Sequence, residues 1–310
     1  MEKKGFLDIS FGWIFALIIG VFILFLAIFL SVKIIKIGGS QQGAEISKDI
    51  GIILDPLETG FEEGKTTILD LGIESKITNI CEEDEEFGRQ AIKTSQAVFG
   101  KQEGGDVEAE SYNKYIFSEN VLEGKTFYIF SKKFEFPFKV ADLIFILPLE
   151  KNYCFIRAPE ELTNTTRDLR LDNIIKADSS NDCPETSEKV CFDLRVSGCD
   201  TKVNLVLNYT EKNNKRLYFY EDSLMYATIF SSPEIYECQL KRLMKRVQSL
   251  AIIYEQKKSF VALKNCNSAI DFGLLISQTG SFNKTIDILA IANIKEGLES
   301  RNKFSQCSIW

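Results

Sequence analysis

From Ile9 to Val32 the chain runs 24 residues without a charged side chain, closed by Asp8 on one side and Lys33 on the other. As a helix the run is roughly 36 Å long, enough to cross a hydrocarbon core of about 30 Å with some tilt. A helix satisfies its own backbone groups, which is the condition that lipid imposes. The competing reading is a cleaved secretory signal. Such a signal has an apolar core of about 7–15 residues and then a small-residue cut site, and Lys33-Ile34-Ile35-Lys36 is a poor one. The expectation is therefore a cytoplasmic leader over 1–8, a retained transmembrane helix over 9–36, and a water-soluble body beyond it.

Eight cysteines, Cys81, Cys154, Cys183, Cys191, Cys199, Cys238, Cys266 and Cys307, all follow the apolar run. None forms C-x-x-C, so a structural zinc or a thioredoxin-like site is not indicated. An even count on one side of a membrane reads as disulfides in an oxidising compartment, with buried free thiols as the alternative. Expected neighbours are Cys183 with Cys191 or Cys199, and Cys266 with Cys238 or Cys307. N-x-S/T triplets at Asn164, Asn208 and Asn283 point to the same compartment. Flanking charge does not set the orientation, because Lys3 and Lys4 precede the run and Lys33 and Lys36 follow it. The cysteines and the triplets decide for a cytoplasmic N-terminus and an extracytoplasmic body.

Beyond Lys36 there are 33 basic and 42 acidic side chains. So acidic a body does not suit nucleic acid. The chain has no histidine, which excludes Ser-His-Asp and Cys-His hydrolases and histidine-ligated zinc. No cofactor-binding, metal-binding or catalytic motif is present. Carboxylate-only and lysine chemistry remain open.

Gly38-Gly39 breaks the first helix. Within 37–57 an amphipathic juxtamembrane helix is expected, since Ile46, Ile50, Ile53, Leu54 and Leu57 recur at helical spacing, and Asp55-Pro56 ends it. Residues 58–310 are expected to form one α+β domain, rich in strands first and ending in helices. Candidate strands are Thr66–Leu71, Ser75–Cys81, Gln90–Phe99, Lys114–Phe117, Thr126–Ser131, Phe134–Val140, Leu143–Leu149, Tyr153–Ile156, Val203–Tyr209 and Arg216–Tyr220, β-branched or aromatic and set between turn residues. Glu82–Glu86 is an acidic run without an EF-hand pattern, read as a solvated loop. A helix begins at Pro159, and the polar stretch 178–189 is the best internal boundary. The strongest helix of the body is Pro233–Lys258, and Asp287–Ser300 is a final one. Lys241, Arg242, Lys245 and Arg246 lie together on one face of the former. The candidate roles for this basic cluster are contact with anionic lipid headgroups or an acidic polymer, and a solvated face.

Gly12, Ala16 and Gly20 stand at i, i+4 and i+8 of the apolar run, a small-residue stripe that lets helix backbones approach in lipid. The bilayer and other membrane helices, including copies of this chain, are the expected partners. Residues 1–12, MEKKGFLDISFG, carry two lysines and a glycine ahead of Phe6 and the long apolar helix. They resemble a type IV prepilin signal, which implies a cut after Gly5 that leaves Phe6 first. The usual glutamate five residues after the cut is Ser10 here, with Asp8 the nearby acid. Over most of its length the chain resembles a family of archaeal single-pass membrane-anchored surface proteins. The resemblance is carried by FGWIFALIIG, DPLETG at Asp55, YNKYIFSEN at Tyr112, FEFPFKVADLI at Phe134, YCFI and APEE around Cys154, and YECQLKRLMKR at Tyr236. It implies a shared fold and a cell-surface location and supplies no activity. The functional expectation is a cell-surface structural or interaction protein, in one form a pilin-like subunit. The rivals are an anchored ligand-binding or adhesion domain and a carboxylate-dependent surface hydrolase.

Overall fold

A computed structural model describes residues 12–31, 33, 66–83, 87–98, 101–102 and 107–310. The leader, the cut between Gly5 and Phe6, and the amphipathic helix within 37–57 lie outside the described residues. Most of the apolar run forms helix α1, Gly12–Ser31, long and apolar enough to cross a membrane and unburied against the rest of the protein. Beyond it the architecture is mixed α+β, a strand-rich body ending in helices, as expected.

The first sheet contains β1 (Thr66–Glu82), β2 (Arg89–Val98), β3 (Lys101–Gln102), β4 (Val107–Ser111), β5 (Tyr115–Phe117), β6 (Val121–Glu135) and β7 (Lys139–Pro148). Their order is β3-β2-β1-β6-β7-β5, with β4 also on β2. Thr66–Leu71 and Ser75–Cys81 are one strand, not two. Its ladder with β6 shifts between Asp70 and Ser75. There Gly72 takes a left-handed φ of 72° and donates its N–H to Asp70 Oδ1, which is bulge chemistry. Phe134–Val140 is not a separate strand. Pro137 has no N–H to donate to a ladder, so the chain turns there between β6 and β7.

The sheet must bend. Phe117 of β5 is level with Phe145 of β7, and Phe127 of β6 is level with Pro148. Only Ser118, Glu119 and Asn120 join Phe117 to Val121, too short a link at about 3.5 Å per residue for a straight β6. The first part of β6 therefore folds back, carrying the far half of β1 and β2 with it. Ile77, Ile92 and Leu122 then share a closed apolar cluster with Phe127, Ile129, Ile144 and Ile146.

The second sheet contains β8 (Tyr153–Ile156), β9 (Ile174–Ala177), β10 (Glu188–Cys191), β11 (Thr201–Asn204), β12 (Tyr209–Lys212) and β13 (Lys215–Tyr218). Its order is β13-β12-β11-β10-β8-β9, parallel from β9 to β11 and antiparallel from β11 to β13. Residues 178–189 join β9 to β10 inside this sheet, so no domain boundary falls there. Val203–Tyr209 is not one strand: Asn204 Oδ1 accepts the N–H groups of Val206 and Leu207. A side chain that captures two amides offers the backbone a turn in place of a ladder. Asn213 and Asn214, at φ 51° and 59°, make the two-residue turn from β12 to β13 that asparagine permits.

The helices are α2 (Glu160–Asp168), α3 (Glu221–Phe230), α4 (Pro233–Ala262), α5 (Gly273–Gly280) and α6 (Asp287–Phe304). Ser232 caps α4, its Oγ accepting the Ile235 N–H, and Pro233 opens the helix. Helix α3 has no apolar periodicity because it is buried on nearly every side. Its Phe230 is the point where the layers meet. The ring lies edge-on to Phe130 and Phe145 of the first sheet and to Tyr153 of the second. The main core runs continuously from the first sheet through α3 and α4 to the second sheet and α6.

Candidate functional site

The basic cluster on α4 does not form an open anion-binding surface. Lys241 pairs with Glu83, its Nζ 3.0 Å from the carboxylate, and Lys245 Nζ donates to the Glu83 carbonyl at 2.6 Å. Arg246 Nε donates to the Val140 carbonyl at 2.8 Å. Arg242 is wholly buried. It donates to the carbonyls of Phe87, Lys114 and Tyr112 and to Gln239 Oε1, at 2.8–3.2 Å, and lies over the Tyr115 ring, 5.0 Å from its centre. Of the four, Arg242 is therefore no surface residue, while Lys241, Lys245 and Arg246 are half-buried and held by contacts within the chain. Three of them engage Glu83 and Phe87, between β1 and β2, and the fourth holds the start of β7. Four carbonyl-type acceptors fit the planar guanidinium fork, which no other side chain presents.

All eight cysteines are paired in the structure: Cys81–Cys238, Cys154–Cys183, Cys191–Cys199 and Cys266–Cys307. The expected pairing of Cys183 with Cys191 or Cys199 is overturned, while Cys266 does meet Cys307. The reason lies in the second sheet. Parallel pairing of β8 with β10 sets Cys154 beside Lys189 in register, and the loop before β10 folds Cys183 onto Cys154. Together with Ile156 and Ala177, these cysteines make a small apolar cluster. Bridges stand in where a face is too small to hold by burial alone.

Gly12, Ala16 and Gly20 are exposed on α1, and no neighbour comes within 4 Å of where a Cβ would sit on Gly12 or Gly20. Among the described residues, nothing covers the stripe.

A charged group that sequence reasoning did not single out joins the two sheets. Lys212 Nζ, at the end of β12, lies 2.7 Å from Glu119 and 3.4 Å from Glu188. Lys151 Nζ lies 2.6 Å from Glu188 and 3.7 Å from Glu119. The Lys212 ammonium also donates to the carbonyls of Ile229 and Ser231. Tyr153 is fully buried, and its hydroxyl has no partner of hydrogen-bond geometry among the described residues, although Lys151 Nζ is 5.0 Å above its ring. An open depression of about 440 Å³ lies over the four charges, lined also by Ser187, Asp200 and Thr201. The members come from the link between β7 and β8, from β10, from β12 and from the link before β6, so no local spacing announces them.

The electrostatics of this quartet do not favour acid–base or nucleophilic work. Burial acts to raise the Glu188 carboxyl, but the ammonium groups of Lys212 and Lys151 outweigh it and hold the carboxyl below its usual range. A general acid would need the opposite shift. Burial acts to lower Lys151, yet Tyr153, Glu188 and Glu119 hold its ammonium well above the ordinary lysine value, the opposite of the shift that activates a lysine nucleophile. Burial also pushes the Tyr153 phenol up. Among the described residues no group of three or more cysteine, aspartate or glutamate side chains is placed to hold a metal ion. The quartet is a charge-balanced clamp between sheets.

Its contribution is testable. Replacing Glu188 by Gln leaves two lysines to share Glu119, and the expected loss of stability is about 2–3 kcal/mol, toward the low end for a broken buried pair because Lys151 is partly exposed. The folded carboxyl titrates below its unfolded value of about 4.3, so its stabilisation is complete above that pH and is lost as pH falls through the folded value. Denaturation midpoints of wild type and Glu188→Gln from pH 7 to pH 2 should therefore converge in acid; a constant gap would refute the linkage.

Comparison with family models, with curated proteins and with solved structures finds no match.

Proposed function

We propose that the protein is a single-pass membrane protein of the cell surface, with a cytoplasmic N-terminus and an extracytoplasmic body, and that it serves as a structural or interaction subunit associating through α1. The observation that carries this reading is the contrast between α1 and the body. Among the described residues, the apolar surface of α1 is uncovered from Gly12 to Ser31, whereas the body closes its own cores and bridges its cysteines in pairs. Bilayer lipid is the solvent in which the first state is stable, and an oxidising compartment is where the second persists. A pilin-like subunit is the form of this role that also requires a cut after Gly5.

The stripe of Gly12, Ala16 and Gly20 supplies the association surface, since small residues let helix backbones pack closely in lipid. Gly20→Leu should lower the yield of oligomer cross-linked in native membranes several-fold, while Phe22→Leu, on another face of the helix, should leave it unchanged. In the same membranes, protease added from outside should digest the body and spare α1. Equal cross-linking in both variants would remove the association role, and a protected body would reverse the topology.

A further inference from the structure

We infer that the end of the body formed by the last turns of α4 and α6 is a docking surface for an anionic lipid bilayer, an inference that rests on the anchored reading above. Cys266 and Cys307 bring the two helix ends together, with their Cα atoms 5.5 Å apart, and Lys257 Nζ donates to the Ile309 carbonyl beside them. Leu263 and Phe304 each lie three residues before one of the bridged cysteines. Both are 81% exposed, and Phe260, one turn back on α4, is 64% exposed. Three large apolar side chains are thus exposed around the Cys266–Cys307 bridge; others, such as Val206 at 89%, are exposed elsewhere on the body, and what sets this group apart is the cationic flank beside it. Soluble surfaces seldom leave such a group bare without a use for it.

The charge around these tips differs from that of the rest of the body. Lys264, Arg301 and Lys303 flank them and are exposed. The neighbouring acids are engaged elsewhere, Glu255 with Lys258 and Glu299 with Lys295. In a body with 33 basic and 42 acidic side chains, a locally cationic end with aromatic and aliphatic tips matches the interfacial zone of an anionic membrane. There the rings and alkyl groups enter the headgroup boundary and the cations meet phosphate. The chain between Ser31 and Thr66 tethers the body to the same bilayer that α1 crosses. Docking is therefore intramolecular and needs little intrinsic affinity.

The test uses the full chain in vesicles of phosphatidylcholine alone or with phosphatidylglycerol, each doped with a lipid carrying a photoactivatable acyl chain, and maps the labelled peptides by mass spectrometry. The expected result is label on α1 in both vesicles, and label on peptides spanning 260–264 and 301–304 that is about tenfold higher with phosphatidylglycerol. The triple variant Lys264→Glu, Arg301→Glu, Lys303→Glu should lose the second label and keep the first; its exposed positions leave the cores intact. Label on α1 alone would overturn the docking surface and leave the anchor standing. Label on neither would overturn the anchor and the docking surface together. Equal label at 260–264 and 301–304 in both vesicles would overturn the anionic assignment, and cross-links between two copies through this end in place of lipid label would make it a dimer contact.

Discussion

Replacing Cys81 and Cys238 together by serine is expected to lower the unfolding free energy by about 4 kcal/mol, the largest loss of any of the four bridges. The bridge spans 157 residues of sequence, and the chain-entropy model puts a closure of that length near 5 kcal/mol, with native strain and residual denatured structure reducing it. Cys191–Cys199 spans only 8, and the same model puts it near 2.5 kcal/mol. Guanidinium unfolding of the full chain in detergent, variant by variant, gives the ranking. A loss for the long bridge no greater than for the short one would show that the bridge does not act by restricting the unfolded chain. The structural consequence is also specific. Cys81 lies on β1, paired with Gln90 in register, and Cys238 lies in the second turn of α4. Without the bridge, the folded-back half of the first sheet should exchange its amide hydrogens faster than β6 and β7.

Substitution of Arg242 by methionine is expected to cost about 3–5 kcal/mol, because it strips a buried group of acceptors of their only shared donor. The carbonyls of Phe87, Lys114 and Tyr112 and the Gln239 side chain all face this guanidinium. Arg242→Lys should recover little, since one ammonium cannot span four acceptors laid out for a planar fork. Lys241→Ala breaks a half-exposed pair with Glu83 and should cost under about 1 kcal/mol. Thermal unfolding of the three variants separates the two kinds of cation on a single helix. An Arg242→Lys variant as stable as wild type would sink the fork geometry. Gly88 belongs to the same contact. Its φ is 63°, and a Cβ there would meet the Arg242 side chain at 2.9 Å as well as the Glu82 carbonyl.

Charge and spacing alone made the α4 cluster look like a surface, and packing reversed that. The apolar stripe of the helix was legible from Leu240, Leu243, Met244 and Val247, all of them buried. The direction of the basic face depended on what came to lie against it. Glu83, distant by 158 residues from Lys241, is brought there by the fold-back of β1 and β2. That bend follows from a three-residue link and a bulge at Gly72, neither of which has a periodicity to read. Helix α3 was illegible for the opposite reason: burial on all sides erases the alternation that marks a helix. The quartet of Glu119, Lys151, Glu188 and Lys212 has no local signature either, since two members sit in links between strands and the other two at the ends of β10 and β12.

The sequence by itself determined the local properties of this protein. It set the uncharged run that becomes α1, the helical stripe of α4, most strand cores, the α+β class, and a cysteine complement suited to bridging. Each depends on residues within one or two turns or along one strand, where side-chain period and backbone chemistry act directly. Only the tertiary structure decided which cysteines meet, that Arg242 is interior, that residues 178–187 connect two strands of one sheet, and where the four-charge clamp sits. These depend on contacts between residues far apart in the chain, and such contacts exist only once strand order, register and the bend of the first sheet have been chosen together.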